Sequence, residues 1–412
     1  MGRSGSITER VSRNLTKENE MRKLFYMSLE SYESRYTLQL TDWNEAVFQR
    51  RGIEYELITG SELTTDKKIV TGSVLDAHGR TYYSMMQHAN LIKLMKEGKV
   101  TNKDVIFYED MFTPGIESLP YILEQVPKKF RPQVYVRCLA QSIDPDDFVN
   151  REGMAHWMRK FEQMVDEFVD GILVASEEMV AHLRIAGMKA PIYVTGLPFG
   201  KEEVLSRIPF VKPIEQREQR VGFAARWDDE KQPEFYMQLA QRFYKTHPDV
   251  EFAVFTGHAE LKSNNKSHVE FAKYLENSGT ANFKVYTSLK KNDYYELLAD
   301  STVLFNCALQ DWVSNTVSEA DTFGTLTLYP AYRSFPEVFA NNADNMYIPW
   351  SLDDAEDRLE KMFRNPGKYM TGLVSDWQNG TIDRTLNIFE GNGEEWARNK
   401  NDYRKHVAKA KY

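Results

Sequence analysis

The chain has 412 residues, 42% hydrophobic and 13% aromatic, with a formal net charge of −8. At roughly 100–200 residues per domain this length predicts two or three domains, and the composition excludes a disordered chain. The charge balance excludes a global attraction to polyanions but leaves room for a local basic face. Cys138 and Cys307 each sit in an apolar strand-like run, which predicts two reduced core thiols in a cytoplasmic protein. The 8 histidines show no zinc-ligand spacing. No apolar stretch reaches the ~18 residues of a membrane helix.

In chain order, residues 1–20 read as a polar leader without the apolar stretch of a signal peptide. Within 21–200, "KLFYMSL" and "IEYELIT" read as strands around a helix that stops at Gly52, and a second helix ends at Gly98. "DVIFYED", "PQVYVRCLA", "GILVAS" and "PIYVTG" are four more strands, with helices in "GMAHWMRKFEQMVDEFV" and "EEMVAHLRIAG". Residues 201–219, proline-rich and charged, read as a linker. The alternation restarts over 220–385 with "RVGFAAR", "VEFAVFTG", "FKVYTSL" and "TVLFNCAL" as strands. Residues 386–412 read as a C-terminal helical segment that packs back on the first unit. Strands alternating with helices at this spacing predict an α/β protein of two Rossmann-like domains with parallel sheets, facing across a cleft.

The residues that could carry chemistry cluster in the second unit. In "LQDWVSNTVSEADTFGT" (309–325), Ser314 and Asn315 are good helix N-caps and Gly324 a good terminator. The helix would begin at the carboxyl ends of the strands, where open α/β sheets bind ligands. Its first amides, near Asn315 and Thr316, suit a phosphate. Asp311 and Glu319 suit hydroxyl donors, because an ionised carboxylate only accepts. A nucleotide-sugar presents both kinds of group. The bland alternative is a solvated loop acid and an exposed helix acid. In "FAARWDDEKQPEFY", Arg226 ends the first strand of the unit and Lys231 precedes Pro233. Together they could neutralise a diphosphate leaving group, or they could form an ordinary surface network with Asp228, Asp229 and Glu230.

The order and spacing of these motifs resemble the retaining, glycogen-synthase-like type of GT-B glycosyltransferase. That pattern pairs an Arg…Lys loop with E-x7-E and a following Gly. Here it reads Arg226…Lys231 and Asp311-x7-Glu319, then Gly324, and "SFPEVF" with Glu337 resembles a later segment. Asp311 replaces a Glu, and no Gly-rich turn follows the first strand. The resemblance implies the GT-B fold and transfer from a nucleotide-diphospho-sugar, with a UDP-sugar first among donors, to an acceptor hydroxyl with retention. It implies no tightly bound cofactor and no required metal. Arg226 and Lys231 would neutralise the diphosphate and Ser314, Asn315 and Thr316 would bind phosphate. Glu319 would accept from the ribose and Asp311 from the sugar. The N-terminal motifs weakly resemble phage-encoded enzymes that glycosylate hydroxymethylated DNA bases, which would place the protein in the host cytoplasm and make DNA one acceptor beside polysaccharides and small molecules.

Four features outside that pattern carry their own readings. Asp144 and Asp146 in "IDPDDF" have the D-x-D spacing of a metal pair, but an Asp-Pro turn capping the next helix is the preferred reading. Glu109 and Asp110 stand at a strand end facing the cleft, where Asp110 could act as a base or orient the acceptor. The aromatic stripes "EFYMQLAQRFY" and "NDYYELL" read as core. The tail after Glu395 reads as a basic helix with Arg398, Lys400, Arg404, Lys405, Lys409 and Lys411, to which Arg50–Arg51 and "PKKFRP" could add a DNA-contacting face. Two other function classes stay open: an epimerase or phosphorylase of the same fold, and a non-catalytic scaffold that kept it.

Overall fold

The structure is a computed structural model that describes residues 22–30, 36–63, 77–339, 342–369 and 373–398. The first domain is built on β1 (Leu24–Met27), β2 (Tyr55–Ile58), β3 (Val105–Tyr108), β4 (Gln133–Arg137), β5 (Gly171–Val174) and β6 (Ile192–Val194), all parallel. The second is built on β7 (Glu218–Phe223), β8 (Glu251–Phe255), β9 (Phe283–Tyr286), β10 (Ser301–Phe305), β11 (Leu326–Pro330) and β12 (Met346–Tyr347), again parallel. The strands LFYM, VIFY, GILV and STVLF are buried at every position. Unbroken apolar runs of this kind suit sheets covered by helices on both faces.

Helix starts follow the local sequence. Ser176, Ser314 and Ser351 each accept an amide from the first turn of the helix that follows. Gly324 ends the helix Asn315–Thr322 with a left-handed φ of 65°, a conformation glycine adopts without steric cost. Both cysteines are free and buried.

Two apolar clusters form. One runs from the first sheet, through Trp43 and Phe389, to Tyr295, Trp312, Val317 and Phe335 on the inner side of the second domain. The other fills the far side of the second sheet with Val221, Trp227, Tyr236, Phe243, Tyr347 and Leu359. The contact between domains is therefore partly an apolar core.

The chain returns to the first domain before residue 386. Lys201 pairs with Asp376 at 2.5 Å. Along the helix Thr381–Phe389, Asp383 meets Arg51 at 3.2 Å and Phe389 packs on Phe107 and Tyr135. The expected continuous helix after Glu394 does not form at its start: Glu394–Trp396 is one tight turn, and β13 (Ala397–Arg398) adds antiparallel to β6. The open edge of the first sheet offers unpaired backbone groups that this short segment satisfies. Lys400 through Lys411, and the leader, lie outside the described residues.

Candidate functional site

The strand orders locate one crevice in each domain. The second sheet runs β12-β11-β10-β7-β8-β9, so the connections diverge between β7 and β10. The first runs β13-β6-β5-β4-β3-β1-β2, and its divergence lies between β1 and β3. Ligands bind outside the carboxyl ends of strands at such switch points. Arg226 and Lys231 follow β7, and Asp311 follows β10, so the second switch point holds three of the predicted residues. Glu30 follows β1 and Asp110 follows β3, at the first switch point.

Backbone strain marks the same edge. Among the described residues the non-glycine positions with positive φ are Gln232, Ser288, Arg333 and Trp350, at 49°, 56°, 51° and 60°. Ser288, Arg333 and Trp350 lie two or three residues past the carboxyl ends of β9, β11 and β12, and Gln232 closes the loop after β7, just before the helix Pro233–Tyr244. Such residues cost of order 1–3 kcal/mol each and cluster at ligand sites and switch regions.

Lys231 is buried; its Nζ donates to the carbonyl of Gln310 and lies 3.7 Å from the Asp311 carboxylate. Burial pushes the Asp311 carboxyl above its usual range, with Lys231 and Arg226 pulling the other way. Arg226 is 55% exposed and reaches Glu230 at 2.7 Å. Glu230 also pairs with Arg151 of the first domain. Burial would raise the Glu230 carboxyl, but Arg226, Arg151 and Lys231 outweigh it and hold the group below its usual range. Leu309 donates its amide to the Glu230 carbonyl at 2.8 Å, tying the two loops together. The crevice thus sets Arg226 and Lys231 against Glu230 and Asp311, with Lys231 buried and Arg226 half exposed.

At the head of the helix Asn315–Thr322, the Ser314 hydroxyl accepts from the Val317 amide, receives Asn306 Nδ2 at 3.2 Å and contacts the Thr316 hydroxyl at 3.0 Å. Ser314 thus spends its hydroxyl on the cap, with the Thr316 hydroxyl held against it. The helix's own bonding leaves the Asn315 and Thr316 amides over for a ligand. Glu319 is buried and already engaged: Oε1 meets Lys291 Nζ at 2.7 Å and the Tyr295 hydroxyl at 3.0 Å, and Oε2 accepts from the Tyr294 hydroxyl at 2.8 Å. The stripe "NDYYELL" is therefore more than core. Its rings pack inward while two phenol tips reach the site, as amphipathic aromatic rings do. Tyr295 also accepts from Gln39 Nε2 of the first domain at 3.3 Å, which puts this cluster at the cleft.

On the first domain the two adjacent acids part company. Glu109 faces the interior rather than the cleft, fully buried against Arg137 at 2.5 Å and Asn44 at 3.2 Å. Successive strand residues point to opposite sides, and Glu109 takes the inner one. Asp110 lies at the edge, bound to Arg80, which also holds Glu30 at 3.0 Å. Burial raises the Asp110 carboxyl, while Arg80 and the Phe112 amide oppose it. Asp147, two places past Pro145, caps the next short helix by accepting from Val149. Asp144 and Asp146 turn to Arg333 of the second domain, at 3.0 and 3.5 Å. A protein cation thus occupies the D-x-D pair. No group of three or more metal-ligating side chains gathers among the described residues. Glu337 accepts from the Glu178 amide of the first domain at 3.3 Å.

Neither basic supplement is arranged for a polyanion in the cleft. Arg50 and Arg51 are paired with Asp383 and Glu390. Lys128 and Lys129 precede β4, at the opposite edge from the cleft. The sequence reading passed over Glu30, Arg80, Arg151, Lys291 and Arg333. Arg333 carried a usable signal, since it follows an apolar strand as Arg226 does; the others lie inside helical patterns or loops with no distinguishing spacing.

No family model and no curated protein matches the chain. Solved structures do. A sucrose-phosphate synthase from Thermosynechococcus elongatus is similar with a TM-score of 0.60 at 10% identity, over 94% of this chain and 100% of that one. A glycosyltransferase from Rickettsia africae gives 0.59 at 10% identity, over 90% and 97%. HepE from Anabaena, solved with UDP and glucose, gives 0.54 at 12% identity, over 89% and 97%. The chain has the GT-B fold. At these identities the likeness is one of architecture, and what this GT-B chain does has to be argued from its own residues. No helix among the described residues is long and apolar enough to cross a membrane.

Proposed function

We propose that this protein is a cytoplasmic glycosyltransferase that moves a sugar from a UDP-sugar to an acceptor hydroxyl, with retention and without a metal. One observation carries the reading: Arg226, Lys231 and Asp311 converge at the switch point of the second sheet. The bond from the sugar to the diphosphate breaks, a bond from that carbon to the acceptor oxygen forms, and the acceptor's proton leaves with the diphosphate or to water. Charge grows on the diphosphate as it departs. Lys231, already desolvated, meets that charge without reorganising water, and Arg226 adds to it by turning from Glu230. The spare amides at Asn315 and Thr316 add a helix N-terminus to the same phosphates. Asp311 accepts from a sugar hydroxyl. Glu319 keeps one acceptor place for the ribose, since a carboxylate has about four acceptor sites and Lys291, Tyr294 and Tyr295 use three.

The acceptor lies across the cleft, beside Asp110 and Arg80. A hydroxyl on a carbohydrate or small molecule suits this edge best, because its one arginine is already held by two acids and the surplus is of acceptors. A hydroxymethylated DNA base is the second reading, and it depends on the basic tail, of which only Arg398 is among the described residues. A salt titration of binding to modified duplex separates the two, since each phosphate contact adds about −0.9 to the log–log slope. The first test is a thermal-shift screen of nucleotide sugars, in which a ligand at 100 times its Kd adds about 2.7 kcal/mol. No shift with any nucleotide sugar would overturn the proposal. Turnover lost in EDTA and restored by Mn2+ would overturn its metal-free part.

A further inference from the structure

Arg333 joins the two domains at the point where the backbone is most unfavourable for it. It occupies the turn after β11 with a φ of 51°, a left-handed value that suits glycine and strains an arginine. Its guanidinium leaves its own domain. Nε donates to Glu178 Oε1 at 2.7 Å, and the two terminal nitrogens lie 3.0 Å from Asp144 and 3.5 Å from Asp146. All three acids belong to the first domain, and the Asp144 side chain is fully buried.

The same turn holds the loop that bears Asp311. The guanidinium stands 4.9 Å over the Trp312 ring and donates to the Leu309 carbonyl at 3.4 Å. Ser334 Oγ donates to the carbonyls of Asp311 and Trp312, at 3.3 and 3.2 Å. One guanidinium therefore touches the first domain and the donor-side loop together. Separating the domains would leave its acids without their counter-charge and the loop without its brace.

We infer that Arg333 is a positioning residue that couples closure of the two domains to the placement of the Asp311 loop. Closure brings Asp144, Asp146 and Glu178 to the guanidinium, and the anchored guanidinium fixes Trp312 and the peptide at Leu309. In an open cleft the acids and the arginine are solvated separately and the loop relaxes. The backbone strain is kept because glycine, which would relieve it, has no side chain to reach across.

The test compares Arg333→Ala, Arg333→Gly, Arg333→Lys and Glu178→Gln by small-angle scattering without ligand, UDP binding, and turnover. The effect on turnover rests on the glycosyltransferase reading; the scattering does not. Arg333→Ala and Arg333→Gly should both open the cleft, enlarging the radius of gyration. Both should lower kcat about 100-fold, the scale of a misplaced reacting group. The donor KM should stay within about threefold, since the loss falls on placement rather than on ground-state binding. Glycine relieves the strain, so Arg333→Gly should melt higher than Arg333→Ala yet share its kcat, a split that a merely structural role does not give. Arg333→Lys should recover part of kcat through one remaining ion pair. If Arg333→Ala fails to fold, Glu178→Gln, which leaves the arginine two acids, should still open the cleft partly and lower kcat. Wild-type scattering from the folded variants overturns the clasp. Opened scattering with wild-type kcat overturns the coupling. Opened scattering in a protein whose wild type turns over no nucleotide sugar leaves the clasp standing and removes the proposed function instead.

Discussion

At the carboxyl edge of the second sheet Arg226 is 55% exposed and shares one acid with Arg151. At the equivalent edge of the first sheet Arg80 is 6% exposed and sits between Glu30 and Asp110. The first arrangement leaves positive charge to be completed by a ligand. The second spends its one guanidinium on two carboxylates of the protein and leaves no cation over for a ligand. A crevice awaiting an anion must hold its cations loosely enough to turn to it, whereas one receiving neutral hydroxyls can lock its charges and offer oriented acceptors. On the proposed function, the contrast fits a diphosphate at the second domain and a neutral acceptor at the first.

Removing Lys231 is the sharpest way to break this contrast. Its ammonium is the buried cation of the donor crevice, so Lys231→Ala should lower kcat about 1000-fold, worth about 4 kcal/mol of transition-state stabilisation. Arg226→Ala should cost less, because that side chain is half solvated before a ligand arrives. Circular dichroism should show both variants folded. Equal rates in wild type and Lys231→Ala would remove the diphosphate from this edge.

The first domain should answer with stability instead. Glu109→Gln leaves Arg137, 1% exposed, without its counter-charge. Breaking such a pair costs about 3 kcal/mol or more. Denaturant unfolding should show the loss, while UDP binding by the folded protein stays near wild type. An unfolding midpoint unmoved by the change would mean that Glu109 is a site residue after all. Asp110→Asn, one position along, should unfold nearly as wild type and lose acceptor turnover.

Glu319→Gln comes next in size. A neutral amide is a weaker acceptor than a carboxylate, and UDP affinity should fall about tenfold, or 1.4 kcal/mol. Titration calorimetry with UDP reads this directly. If the melting temperature drops while UDP affinity holds, Glu319 serves only to clip the helix Lys291–Ala299 to the helix Asn315–Thr322.

These residues differ in how far the sequence revealed them. Arg226, Lys231 and Asp311 were legible because each falls within a few residues of an apolar strand, and a parallel sheet puts every such loop on one edge. The partners of Glu319 were not, since Tyr294 and Tyr295 satisfy a helical apolar period with their rings and declare their hydroxyls only in three dimensions. Glu109 and Asp110 were read as a pair, but the end of the strand separates neighbours by facing them oppositely. Arg333 and its three acids come from different domains, and nothing in spacing along the chain could bring them together. Asp144 and Asp146 are legible as part of an Asp-Pro turn before a helix, but the cation they serve is not, because it is supplied from the other domain.

Asp147 offers the finest test of how the first domain holds its buried acids. Its carboxyl is buried, and burial pushes it up to about 7 although it accepts from the amides of Val149 and Gln141, with Asp144 and Glu162 adding to the rise. An unfolded aspartate titrates near 3.9. The folded state therefore binds this proton more tightly than the unfolded one. Its contribution to stability is fully present below about pH 4 and is lost as the pH rises through about 7. Asp147→Asn carries no proton to lose, and it gives up one of two acceptor oxygens at every pH, a constant offset. The stability of wild type relative to Asp147→Asn should accordingly decline by about 3 kcal/mol between pH 4 and pH 7, and level off above about pH 8. Melting temperatures of both proteins across pH 4 to 8 measure it. Parallel curves would mean that the helix cap holds an ordinary, ionised aspartate, and that the first domain's edge tolerates uncompensated charge as readily as the second.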